Sequence, residues 1–169
     1  MTAAAPASAC IFDAAARRHL IGMLTTARRS IMTAQFAASP IVTTTPAAYR
    51  QLMDAAHAAA RRGVVCSMVL AQAGPRNPQS SASLLAASQL IAAGWRVRWA
   101  PAGRLMHAKM WVFDASHVVI GSHNLTESAM SANHEASLIA TDAASAADAA
   151  QWFGLLWAKS APALTKAAA

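Results

Sequence analysis

One stretch constrains this 169-residue chain more than any bulk property. It runs His107-Ala108-Lys109, four residues to Asp114, six more to Gly121-Ser122, and one further to Asn124. Met106 to Phe113 is rich in the residue types that favour strands, Asp114-Ala115-Ser116 reads as a turn, and His117 to Ile120 as a returning strand, so the pattern is expected on a β-hairpin. Residues two apart on a strand point the same way, which puts His107 and Lys109 on one face.

That pairing suits attack on a phosphate ester. A neutral imidazole offers a lone pair, and an ammonium beside it offsets the charge that would repel a nucleophile. Beyond the hairpin, Gly121 lets backbone approach closely, while Ser122 and Asn124 add donors for nonbridging oxygens as charge redistributes in the transition state. Asp114, at the turn, is expected to stabilise the hairpin. The pattern occurs once, so a reaction needing two such histidines needs a second copy of the chain.

The rest of the sequence alternates helical and strand-like segments. Residues 12–29 read as a helix and 30–36 as a strand; Pro40 and Pro46 bracket a threonine-rich loop. Ala47 to Arg62 reads as a helix stopped by Gly63, and Val64 to Ala71 as a buried strand. Residues 74–79 form a loop by composition, and Ser80 to Ala93 a helix closed by Gly94. Trp95-Arg96-Val97-Arg98-Trp99 alternates with period two, placing the tryptophans and valine on one face and Arg96 and Arg98 on the other, where they could touch substrate phosphates or face water. His134 to Ala140 reads as a strand. Asp142 caps a last helix, whose Trp152, Phe153, Leu155, Leu156 and Trp157 should pack on the sheet. This order predicts an α/β fold, a mixed β-sheet flanked by helices in a single domain over 1–169, with flexible ends at 1–11 and 161–169.

Composition narrows the partners. Net charge is +7, and residues 1–109 hold twelve Lys or Arg against Asp13 and Asp54, whereas residues 110–169 hold two Lys against five acids. The asymmetry favours a polyanion, nucleic acid or anionic membrane, approaching the first two thirds of the chain. Although 56% of residues are hydrophobic, many are alanine, and no run approaches the roughly 20 apolar residues that cross a bilayer. With no secretory signal at the N-terminus, the expected compartment is the cytoplasm, or the periplasm if a leader is missing. Cys10 and Cys66 form neither a disulfide framework nor a metal set, and His117, His123, His134 and Asp114 match no usual ligand spacing. Neither metal nor cofactor is expected.

The full motif, Ala27-Arg28-Arg29-Ser30-Ile31, Ala60-Arg61-Arg62-Gly63-Val64 and Asn133-His134-Glu135 together resemble the phospholipase D superfamily, in particular its small single-motif members of the bacterial nonspecific endonuclease kind. The resemblance covers nearly the whole chain. It implies a phospholipase D-like fold and a metal-independent two-step reaction in a homodimer: His107 attacks phosphorus, and His107 of a second subunit protonates the leaving oxygen. It further implies phosphate binding by Lys109 and Asn124, support from Ser122, and Glu135 holding the imidazole. The chain departs from many members at Ala71-Gln72, where an acid is common, and at Thr43-Thr44-Thr45-Pro46, which looks like a small insertion.

A nuclease is the first expectation for a basic chain with no evident base-reading module. A phospholipid phosphodiesterase acting on anionic phospholipid keeps the chemistry and changes the substrate. A noncatalytic nucleic-acid-binding module on the same fold is the reading from another class.

Overall fold

A computed structural model describes residues 8–72 and 80–163; the loop expected at 74–79 and the tail from 164 to 169 lie outside the described residues. Among the described residues the chain runs β1 (Ser8–Phe12), α1 (Ala15–Thr26), β2 (Ser30–Gln35), α2 (Ala47–Arg61), β3 (Val65–Leu70), α3 (Ser80–Ala92) and β4 (Arg96–Trp99). It continues through β5 (Lys109–Phe113), β6 (His117–Gly121), α4 (Glu127–Ser131), β7 (Ala136–Ala140), α5 (Ala143–Lys159) and β8 (Ala161–Pro162).

The strands form one mixed eight-stranded sheet in the order β1-β7-β6-β5-β2-β3-β4-β8. β2, β3 and β4 are parallel, joined through α2 and α3, and every other pairing is antiparallel. Period-two alternation divides each strand between two cores. Ile31, Cys66, Met68, Val97, Trp111 and Ile139 face the side packed by Leu20 and Leu24 of α1, Leu52 and Met53 of α2 and Leu90 of α3. Ala34, Val69, Met110, Val112 and Val118 face the other side, where Ala149 and Phe153 of α5 cover them. The α/β architecture with a mixed, helix-flanked sheet is thus the one that the sequence predicts.

Differences from the sequence reading concentrate at the edges. Residues Ser8–Ile11, expected to be flexible, belong to β1, which pairs with β7 from Ser8↔Ala140 to Phe12↔Ala136. Ala161 and Pro162, expected in a flexible tail, pair with β4, and Ala163 is buried. In both places backbone pairing supplies order that side-chain pattern does not advertise. The motif strand begins at Lys109, leaving Met106 to Ala108 in the preceding loop. On α5, Phe153 is buried but Trp152 and Leu155 are 43% and 61% exposed, so the apolar run packs with one stripe only. No helix among the described residues is long and apolar enough to cross a membrane.

Candidate active site

Register brings the two halves of the motif together. β2 and β5 pair Gln35 with Lys109, and β5 and β6 pair Met110 with Ile120, so Lys109 enters the sheet, with His107 just before it, where β2 finishes and Gly121-Ser122 leaves it. Gly121 lies opposite Ser137 of β7. A Cβ at this glycine would overlap the Ser137 side chain and the Ala136 carbonyl, so a larger residue would prise β6 from β7 at the mouth of the site.

His107 is exposed, and its ring is flanked on two sides. The Lys109 ammonium lies 3.1 and 3.2 Å from the two ring nitrogens and donates to the His107 carbonyl at 2.8 Å. Phe36, just past β2, packs with its ring centroid 4.7 Å from that of His107 and 5.2 Å from the Lys109 nitrogen, a range in which an aromatic face attracts a cation. Burial pushes the Lys109 pKa below the ordinary lysine value, and the Glu135 charge partly opposes that shift.

Ser122 and Glu135 form the opposite wall. The Ser122 hydroxyl donates to Glu135 Oε2, the Asn133 amide donates to Oε1 at 3.0 Å, and the Ala136 N–H donates back to Ser122 Oγ at 3.0 Å. Glu135 is anchored from the N-terminal segment: Asp13 Oδ1 accepts its backbone N–H at 2.9 Å. That bond is the main reason why the Asp13 carboxyl is held below the usual carboxylate range. The contact expected between Glu135 and the His107 imidazole is not among the hydrogen bonds of the described residues; the carboxylate bonds Ser122 and Asn133 instead.

Asn124 is held through its neighbour. Leu125 donates its N–H to Gln35 Oε1 at 3.0 Å, and its carbonyl accepts from Tyr49 Oη at 2.8 Å and from the Ser39 N–H at 2.8 Å. Gln35 Nε2 donates to Thr33 Oγ1 at 2.9 Å, and Thr33 donates to the Met110 carbonyl at 2.8 Å. The fully buried Gln35 and Thr33 thereby tie the Asn124 turn to the strand that carries Lys109. Sequence reasoning missed this link; its signal is two polar residues, two apart, inside the otherwise apolar Ile31 to Phe36. Asn124 Oδ1 is buried without a partner among the described residues.

Other predicted positions lie elsewhere. Asp114 sits at the far end of the hairpin, accepting the N–H groups of Arg28, Arg29 and Ser30 at 2.9, 2.7 and 2.9 Å. Partial burial raises its pKa, but those three donors outweigh it and leave the carboxyl below its ordinary value. Arg96 and Arg98 are on β4, with β3 and β2 between them and the motif strand. Arg96 donates to Ser67 Oγ at 3.0 Å and Arg98 to the Trp157 carbonyl at 2.9 Å, and both guanidinium groups stack on Trp157. Neither is brought to His107. His123 is buried between Ser137 Oγ and the Asp13 carbonyl, and His117 bonds Ser116.

Among the described residues, two clefts open on His107. The larger, about 720 Å³, lies between the sheet and α5 and is walled by Met110, Ile120, Leu138, Ala149 and Trp152 with Lys109 and Ser122 at its rim. The smaller, about 550 Å³, is bounded by the loop before β5 and the last turns of α5.

The fold recurs in known proteins. No curated protein matches the chain. Among solved structures, the phospholipase D family member Nuc from Salmonella typhimurium superposes with a TM-score of 0.75 at 21% identity over 92% of this chain and 97% of its own. NucT from Helicobacter pylori gives 0.70 at 17% identity over 92% of this chain and 98% of its own. Polyphosphate kinase from Porphyromonas gingivalis gives 0.67 at 14% identity, over 89% of this chain but 26% of its own. The family described as cardiolipin synthase, PLD-like domain matches residues 20–157. With that match spanning most of the sequence and His107, Lys109, Ser122 and Asn124 of the motif gathered at one end of the hairpin, the chain belongs to the phospholipase D superfamily.

Proposed function

We propose that the chain is a metal-independent phosphodiesterase that hydrolyses nucleic acid in a homodimeric site. The observation that carries this reading is the convergence of exposed His107 with Lys109, Ser122 and Glu135 at the open end of β5 and β6. His107 forms a P–N bond as the P–O bond to the leaving group breaks, and the second copy's imidazolium gives its proton to that oxygen. The same imidazole, now neutral, takes a proton from water; the resulting hydroxide attacks phosphorus and the P–N bond breaks. Lys109 and Asn124 bind nonbridging oxygens, and Ser122, fixed by Glu135, holds that wall of the site. Glu135 also favours the charged form of Lys109.

Apolar surface beside the motif supports pairing of two copies. Ile120 and Leu138 are 49% and 44% exposed along the cleft that ends at His107, apolar surface of the kind that protein–protein contacts cover. The test is cleavage in EDTA by the wild type and by His107→Ala, with acid-quench trapping of phosphohistidine and solution mass measured in parallel. Metal-free cleavage lost in the variant, a trapped adduct and a dimer mass are expected; a requirement for Mg²⁺ would contradict the mechanism.

The apolar lining of the larger cleft favours one second reading, a phospholipid substrate with an acyl chain in that cleft. Phosphatidic acid release from anionic vesicles without nucleotide release from DNA or RNA would select it.

A further inference from the structure

The second, smaller cleft has a chemistry of its own. It is lined by Pro101, Arg104, Met106, Trp152, Leu155 and Lys159, among others, and reaches His107 itself. Its two cations come from separate elements, Arg104 from the loop before β5 and Lys159 from the last turn of α5. Among the described residues neither forms a hydrogen bond or ion pair with the protein, and no acid lines the cleft. Several other arginines contrast with them. Arg17, Arg29, Arg50, Arg62 and Arg98 all donate to backbone carbonyls. Arg104 and Lys159 are charges left open at the catalytic end.

Between them lies exposed apolar surface, chiefly Trp152 and Leu155. A duplex presents phosphates outward and keeps its base faces stacked, so it could use the cations but not this floor. A single strand offers both, with phosphates spaced along a backbone and base faces free to lie on an aromatic or aliphatic surface. At about 550 Å³ the cleft is of small-ligand size, the scale of an unpaired nucleotide segment. We propose that this groove is a subsite for single-stranded nucleic acid flanking the scissile bond, with Arg104 and Lys159 binding the neighbouring phosphates and Trp152 and Leu155 the unstacked bases. The assignment rests on the phosphodiesterase reading and adds the substrate class.

The test compares wild type with the double variant Arg104→Ala/Lys159→Ala on bis(p-nitrophenyl) phosphate, a single-stranded oligonucleotide, the same oligonucleotide as a duplex, and phosphatidylglycerol vesicles. Hydrolysis of the small ester should stay within about twofold, because the groove is not needed to hold it. On the single strand, kcat/KM should fall roughly 10- to 50-fold, mainly through KM, and the slope of log(kcat/KM) against log[salt] should flatten by about 1.4, roughly 0.7 for each lost phosphate contact. Duplex cleavage should change by less than about threefold. Unchanged single-strand kinetics, equal losses on single strand and duplex, or losses on vesicles alone would overturn the proposal; equal loss on the small ester would make the residues structural and overturn it too. If the wild type fails even on the small ester, the phosphodiesterase reading falls. Fluorescence anisotropy in a His107→Ala background then decides the groove, which fails if single-strand affinity is the same with and without the two cations.

Discussion

The hairpin has two ends built on opposite rules. At the turn, Asp114 is saturated: three backbone N–H groups converge on its carboxylate from the segment that starts β2. At the open end, about 17 Å away along the five-residue β5, His107 is exposed and Asn124 Oδ1 is buried without a partner among the described residues. One motif therefore holds a turn-bracing residue and the residues proposed for catalysis at opposite ends of the hairpin. Arg28, Arg29, Arg61 and Arg62 precede β2 and β3, so they too lie at the Asp114 end. A surplus of positive charge along the sequence is not a map of charge around the site.

The comparison breaks if either end behaves like the other. The largest expected effect is at the open end: His107→Ala should lower metal-free phosphodiester cleavage by at least about 10⁴-fold while leaving the melting temperature within about 2 °C, since the side chain is exposed. Lys109→Met should cost roughly 10²- to 10³-fold in kcat/KM, read on the same ester. Gly121→Ala tests the hinge between the two regimes, because it forces β6 and β7 apart next to Ser122. It should destabilise by about 3 kcal/mol in urea titration and reduce activity even where the protein is folded.

At the turn the pattern reverses. Asp114→Ala should lose about 2 kcal/mol of stability by leaving three N–H donors unmet, with kcat per folded molecule unchanged. A fall in kcat with no change in stability would place Asp114 in the chemistry. Asp114 has a depressed folded pKa, so its stabilisation is complete above the unfolded value of about 3.9 and is lost as pH falls through the lower folded value. Lys109 sharpens the other side and gives the smallest effect. Its pKa is lowered by burial, so activity requiring the ammonium should begin to decline at a pH below the ordinary lysine value of about 10.4; a decline only above it would contradict the burial argument.

Much of the fold was legible because its signals are local. The capping carboxylate of Asp142 bonds the Ser145 N–H at 2.8 Å, and Gly63 and Gly94 adopt positive φ just after α2 and α3. Alternation in Trp95 to Trp99 resolves into a buried Trp95 and Val97 with the arginines opposite. The missed parts depend on partners remote in sequence. Ser8 to Phe12 has little strand signal and is ordered by β7, more than a hundred residues away. The reach of Arg98 toward the phosphate site was plausible from the strand pattern, yet its guanidinium is drawn to the Trp157 ring and carbonyl, which only the docking of α5 supplies. His107 and Lys109 were legible from spacing. Gln35 shows only as a polar residue in an apolar strand, and Phe36 and Asp13 carry no signal, since nothing local says that they converge on the motif.

The anchoring of Glu135 by Asp13 bears on how the protein can be cut for laboratory use. The span matched by the family, residues 20–157, begins after Asp13 and ends before β8. An expression clone trimmed to that span keeps every residue of the motif but discards the edge strand beside β7, the clasp on the carboxylate that fixes Ser122, and the carbonyl that receives His123. Such a fragment would carry an intact signature on a slack frame, and its inactivity would say nothing about the enzyme.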